Sequence, residues 1–292
     1  MKIVILGCKG QLGMCLCDEL ENTDYEVVFT SREQINITDF QETKTKILDM
    51  APDVIINTAA YTAVDKAEQE HEKADLINHL AVKNIAEICS KIGCWLIHIS
   101  TDYVFDGTLR VPYKEDDQTN PQSIYGLTKL HGELALQSSG CKYIIIRTAW
   151  VFSEYGDNFL KTVLRLGSEK DTLDIVGDQI GCPTYAQDLA KAILCILPLL
   201  SITQDSRIYN YVGDKSCSWA EFAELILHKA KKMELIKSKP QVVAITTKEY
   251  PTLAIRPNNS RLDSSLFESC FGCKASDWEA GVSEVLSLKK QL

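Results

Sequence analysis

Lys2-Ile-Val-Ile-Leu6 runs directly into Gly7-Cys-Lys-Gly10-Gln-Leu-Gly13 and then into a helical stretch reaching about Glu21. The apolar run reads as a buried strand. The three glycines let the chain turn tightly and bring its backbone close to a pyrophosphate. The helix behind them offers free N–H groups and the positive end of its dipole. A strand, a glycine turn and a helix in this order form a dinucleotide-binding unit. The spacing is GxxGxxG, and a plain glycine-rich turn is the competing reading. The position directly after an N-terminal strand favours cofactor binding, with Gly7, Gly10 and Gly13 at its centre.

Working outward, Glu26 to Phe29 reads as a second strand ending in Thr30-Ser31-Arg32. An acidic residue there would bind a ribose hydroxyl and favour NADH. The Ser31 hydroxyl and Arg32 guanidinium suit a 2′-phosphate and favour NADPH. Glu33 weighs against them, and a solvated turn is the alternative. Asp39-Phe40 starts the next helix near the adenine. Asp53 to Asn57 is a third strand, followed by Thr58-Ala59-Ala60-Tyr61, where small residues let a cofactor lie close. Glu72 to Lys91 reads as one long helix, and Trp95 to Ile99 as a fourth strand. Tyr143 to Ile146 is the next strand, and it leads to Trp150. The alternation predicts an α/β fold, a Rossmann-type doubly wound parallel sheet. Residues 1–150 form the dinucleotide-binding domain on this reading. Residues 151–292 form mainly a smaller α/β substrate-binding domain, and the chain returns to the first domain at about 185–215.

Two segments supply candidate chemistry. Thr101 ends the fourth strand, at the sheet edge where ligands bind, and a hydroxyl there stabilises charge on a substrate oxygen. Tyr125-Gly-Leu-Thr-Lys129 places a phenol and an ammonium one helical turn apart on one face. The ammonium should lower the phenol's pKa from about 10 and make it a usable general acid. This helix is expected over Asn120 to Leu136, with Asn120 as cap, Pro121 in its first turn, and Leu127, Leu130 and Leu134 facing the core. Trp150 is placed either as one wall of a sugar pocket or as core packing. Arg256 and Arg261, in a polar extended segment, are either diphosphate ligands or members of structural ion pairs.

The chain has 292 residues, 45% of them hydrophobic, enough for a large core. Its net charge of −9 argues against nonspecific nucleic-acid binding. Eleven scattered cysteines, with no secretory pattern ahead of the first strand, fit a cytoplasmic protein with reduced thiols. Cys270-Phe-Gly-Cys273 lacks a second pair, so no metal site is assigned. No apolar run reaches the roughly 18 residues of a membrane span.

The glycine turn, the strand-end threonine and the YxxxK helix together resemble the extended short-chain dehydrogenase/reductases. Gly10-Gln-Leu-Gly13, Asn57 through Glu68, Ser100-Thr-Asp-Tyr-Val-Phe105, Asp178 through Thr184 and Arg256-Pro-Asn-Asn-Ser260 narrow this to the dTDP-4-dehydrorhamnose reductase family. The resemblance spans nearly the whole chain. It implies reduction of a dTDP-sugar C4 ketone by NADPH or NADH, with Tyr125 as proton donor, Lys129 holding the nicotinamide ribose and Thr101 tuning the site. It also implies cofactor contacts at Gly10, Gln11, Leu12, Asp39, Phe40, Ala59, Ala60 and Tyr61, and substrate contacts at Thr101, Asp102 and Trp150. Some members dimerise around magnesium. No motif here decides between monomer and homodimer or supports Mg2+. The rival readings are a related 4-ketoreductase or epimerase, and a non-catalytic cofactor-binding subunit like that of methionine adenosyltransferase. A 4,6-dehydratase is disfavoured, because Thr101 is followed by Asp102-Tyr103 and not by an Asp-Glu pair.

Overall fold

The computed structural model describes residues 1–202 and 206–290. The first half of the chain alternates β1 (Lys2–Leu6), α1 (Gln11–Leu20), β2 (Glu26–Thr30), α2 (Phe40–Met50), β3 (Val54–Asn57), α3 (Val64–Ala67), α4 (His71–Asp75), α5 (Ala81–Ile92), β4 (Trp95–Thr101), α6 (Ile124–Ser138) and β5 (Lys142–Thr148). The later elements are β6 (Val151–Phe152), α7 (Phe159–Glu169), β7 (Thr172–Val176), β8 (Ile180–Gly181), β9 (Thr184–Tyr185), α8 (Ala186–Ile196), β10 (Arg207–Asn210), β11 (Cys217–Ser218), α9 (Trp219–Lys232), β12 (Gln241–Ile245), α10 (Ser265–Phe271) and α11 (Trp278–Lys290).

Six strands form one parallel sheet in the order β10-β5-β4-β3-β1-β2. Both faces are covered, which explains the unbroken apolar runs. Ile3 and Ile5 face α1 and α8 in one core, whereas Val4 and Leu6 face α2 and α5 in the other. Strand β1 lies between β2 and β3, so the winding reverses there. In open α/β sheets that switch point, at the carboxyl ends of the strands, is the ligand crevice.

A third core is built on Phe152, Leu160, Val163, Phe222, Trp278 and Val282, from β6, α7, α9 and α11. Asn158 caps α7 by accepting from Lys161 N at 3.1 Å. Ser218 and Glu221 close a capping box on α9. Strands β7 and β12 pair in parallel beside them.

Two helices depart from expectation. The stretch expected as a single helix over Glu72 to Lys91 is α4, a π-helical turn at Leu76–Leu80, and α5. The wide turn carries Asn78 inward, where it accepts from Tyr61 N at 2.8 Å and donates to Tyr61 O and Thr128 Oγ1 at 3.1 and 3.2 Å. Helix α6 starts later than expected, and Ser123 is its cap, accepting from Gly126 N at 3.2 Å. Asn120 donates its backbone N–H to Val104 O and its amide to Asp106.

The expected leucine face of α6 is also corrected. Leu127 and Leu134 are exposed and Leu130 is half-buried, while Lys129, Gly132, Glu133 and Leu136 are buried. The helix buries a polar face because each polar group there meets a fixed partner. Glu133 pairs with Arg147 at 2.7 Å and accepts from Ser100 at 2.5 Å. Ser100, at the end of β4, thus serves this network.

Candidate active site

Thr101 and Asp102 stand at the carboxyl end of β4, and α6 brings Tyr125 and Lys129 beside them. The Thr101 hydroxyl donates to Asp102 Oδ1 at 3.0 Å and accepts from Tyr103 N at 3.2 Å. It also faces the Tyr125 phenol and pulls that pKa down. Burial has the larger effect and pushes the Tyr125 phenol up to about 12, with Asp102 adding to the rise. The Tyr103 and Tyr125 rings meet edge to face, with centroids 5.4 Å apart.

The expected ammonium–phenol pairing is absent from this arrangement. The Lys129 Nζ turns toward β4, donating to Ile99 O at 2.5 Å and lying 3.2 Å from His98 Nε2. Burial brings Lys129 down to about 8, opposed by the Glu133 carboxylate. His98 is fully buried and held well below the ordinary imidazole range by desolvation and by Lys129. Its Nδ1 is 3.2 Å from the Asn57 amide. A neutral imidazole therefore links β3 to the lysine. Asp102 is raised to about 7 by burial, and its Oδ2 is buried without a partner. The Ser260 hydroxyl faces the same carboxyl and opposes that rise.

The glycine turn fits a dinucleotide. Gly7 has φ +87°, and a Cβ there would lie 2.8 Å from Ala59 N across the β1/β3 crevice. A Cβ on Gly13 would collide with the backbone at Gly7 and Cys8. Gly10 caps α1 without a side chain, which leaves the helix N–H groups open to an anion. A cavity of about 330 Å³ opens here, lined in part by Gly7, Gly10, Ser31, Arg32, Ala59 and Ala60.

The structure distributes the remaining expected contacts unevenly. Leu12 lies in the core, and Gln11 accepts from Ser153 and Asn158 at 3.0 and 2.9 Å. Tyr61 is buried and donates its hydroxyl to Glu70 at 3.2 Å. Asp39 caps α2 by accepting from Glu42 N, and Phe40 is partly exposed; neither lines the cavity. Ser31 donates to Glu33 at 2.5 Å, and Lys9 pairs with the same carboxylate at 3.0 Å, holding Glu33 down at about 2. Glu33 is thus a negative charge beside the expected 2′-phosphate position.

Trp150 stacks on Trp219, with centroids 3.5 Å apart and planes within 9°. It does so from a left-handed backbone position, φ 48°, which is costly for a bulky residue. Trp219 and Arg256 line a cleft of about 660 Å³ between α7, β7 and the 245–256 segment. Arg256 grips Asp65 through two bonds, at 2.6 and 3.2 Å. Arg261 donates to Asn259 Oδ1 at 2.8 Å and to Arg110 O. His98, Asn78, Glu133, Asp65 and Trp219 were not singled out from the sequence as site residues. His98 carried a visible sign, a lone polar residue in the apolar strand Trp95-Leu-Ile-His-Ile99. The others depend on contacts between distant segments.

A parallel sheet with its glycine turn at the switch point, a strand-end threonine and a Tyr125/Lys129 helix packed beside it define an extended short-chain dehydrogenase/reductase scaffold. The model of the family described as RmlD substrate binding domain matches residues 1–290. A dTDP-4-dehydrorhamnose reductase of Aggregatibacter actinomycetemcomitans is 40% identical over 287 residues, covering 97% of this chain and 98% of the relative. A solved dTDP-4-dehydrorhamnose reductase from Clostridium acetobutylicum superposes with TM-score 0.92 at 36% identity, over 99% of this chain and 100% of its own. One from Bacillus anthracis, solved in complex with NADP, gives 0.90 at 34% identity, over 98% and 99%. The chain belongs to the dTDP-4-dehydrorhamnose reductase family.

Proposed function

We propose that this chain reduces the C4 ketone of dTDP-4-dehydro-L-rhamnose to give dTDP-L-rhamnose, with NADPH or NADH as reductant and Tyr125 as proton donor. The observation that carries the reading is the Thr101 hydroxyl facing the buried Tyr125 phenol at the carboxyl end of β4, in a sheet whose glycine turn borders a cavity and in a chain aligned end to end with reductases of that name. The product would serve as an L-rhamnose donor for cell-surface polysaccharide.

When bound, the reduced nicotinamide supplies the hydride that converts the C4 carbonyl to an alcohol. Gly7, Gly10 and the α1 N-terminus would hold the pyrophosphate, and Lys129 would hold the nicotinamide ribose on turning from Ile99 O. Thr101 would turn its hydroxyl proton from Asp102 Oδ1 to O4 as negative charge builds there. Tyr125 stays protonated across the neutral range because of its burial, and delivers its proton to O4. Asp102, beside Thr101, is the carboxyl placed to meet a sugar hydroxyl. The 660 Å³ cleft takes the nucleoside diphosphate, with Trp219 offering an apolar face and Arg256 a guanidinium.

The test is nicotinamide oxidation, followed by absorbance, with enzymatically generated dTDP-4-dehydro-L-rhamnose. Tyr125→Phe should lower kcat by roughly 10²- to 10⁴-fold while leaving NADPH binding intact. Wild-type inactivity toward this sugar, with activity on another 4-keto nucleotide sugar, would reassign the substrate. A Tyr125→Phe variant as fast as wild type would remove the proposed acid.

A further inference from the structure

Asp75, His79 and His131 form a cluster that the proposed chemistry does not use. Asp75 and His79 are one turn apart where α4 enters the π turn, and His131 comes from α6. His79 Nδ1 lies 2.9 Å from Asp75 Oδ1, and His131 Nδ1 lies 3.8 Å from the same oxygen. One ligand atom from each residue falls within 4.8 Å of the other two. The two imidazoles meet edge to face at 5.3 Å. All three side chains are partly exposed, between 25% and 42%.

We propose that these three residues bind a borderline divalent transition metal of the Zn2+ class. A hydrogen bond accounts for the Asp75–His79 contact. It does not account for His131, which arrives from another helix and stops beyond hydrogen-bond length from the carboxylate. Two imidazoles and one carboxylate are a donor set that suits Zn2+, while Mg2+ and Ca2+ take oxygen ligands. Tetrahedral ligands at a bond length of about 2.0–2.2 Å stand roughly 3.4 Å apart. The 2.9 Å and 3.8 Å spacings bracket that value and the His79–His131 spacing is within 4.8 Å, so closing the site calls for rotation of the partly exposed side chains. A fourth position stays open to water. Lys129 points into the protein, whereas His131 is partly exposed. The metal therefore ties helices together and does not touch the reacting oxygen. Specifically, it fastens the π turn, whose Asn78 holds Tyr61 and Thr128, onto the helix that carries Tyr125 and Lys129.

The experiment uses the full chain stripped with chelator and titrated with Co2+ as a spectroscopic probe. About one equivalent should produce visible d–d bands without the near-ultraviolet charge-transfer band of a cobalt–thiolate bond. His79→Gln and His131→Gln, made separately so that a folding failure in one leaves the other informative, should each abolish the bands. Zn2+ should raise the melting temperature of the wild type and of neither variant, and Mg2+ should not reproduce the rise. Absence of binding at sub-millimolar Co2+, bands that survive both substitutions, or a thiolate charge-transfer band would each overturn the proposal.

Discussion

Lys129 is a lysine whose environment favours its neutral form. It is 2% exposed, meets His98 and the Ile99 carbonyl, and sits at about 8 because burial penalises the ammonium. It carries its charge below about pH 8 and loses it above. NADPH affinity, measured by fluorescence titration, should therefore weaken as pH rises through about 8, and a Lys129→Met variant should bind weakly with no such step. The neighbouring imidazole gives a second prediction. His98→Ala removes the side chain that holds the lysine against β4, and should lower kcat/KM about tenfold or more through misplacement, with the fold intact by circular dichroism. Glu33 gives a third. Its carboxylate, charged throughout the physiological range, competes with a 2′-phosphate for Ser31 and Lys9. Glu33→Gln should shift the ratio of KM values toward NADPH over NADH, and an unchanged ratio would place the phosphate elsewhere.

At the scale of the element, α6 decides where the chemistry sits. It docks through a buried Glu133–Arg147 ion pair, with side-chain exposures of 0% and 3%, completed by Ser100 and by the Glu115 carbonyl. Removing one partner strands a buried charge. Glu133→Ala should cost about 3–5 kcal/mol in urea unfolding. A replacement of both partners by apolar residues of similar volume should cost much less. The π turn supports α6 from the other side through Asn78 and Thr128. The sequence pattern pointed the leucines of this helix inward, since apolar periodicity normally marks the core face. Here satisfied polar groups displaced them. No count of apolar residues in one segment reveals an ion-pair partner on another strand.

For the whole molecule, the early segments of the chain join the later ones at the Asp65–Arg256 contact and around Gln11, which receives bonds from Ser153 and Asn158. Asp65 follows the third strand of the cofactor sheet, and Arg256 lies on the 245–256 segment, a strap beside the 660 Å³ cleft. Asp65→Asn should loosen that strap. The expected result is a several-fold rise in KM for the nucleotide sugar, with a smaller change in kcat and an unchanged KM for NADPH. An equal rise for both substrates would show instead a general loss of structure. The amino-acid sequence by itself determined the parallel sheet, the glycine turn and the Thr101, Tyr125 and Lys129 group, because hydrophobic periodicity, glycine placement and one helical turn are local properties. Tertiary structure alone decided that Lys129 faces His98, that Arg256 grips Asp65, that Trp150 stacks on Trp219 and that α6 buries its polar face. Each of these pairs residues distant in sequence, and burial and charge pairing act through the space that the folded chain encloses.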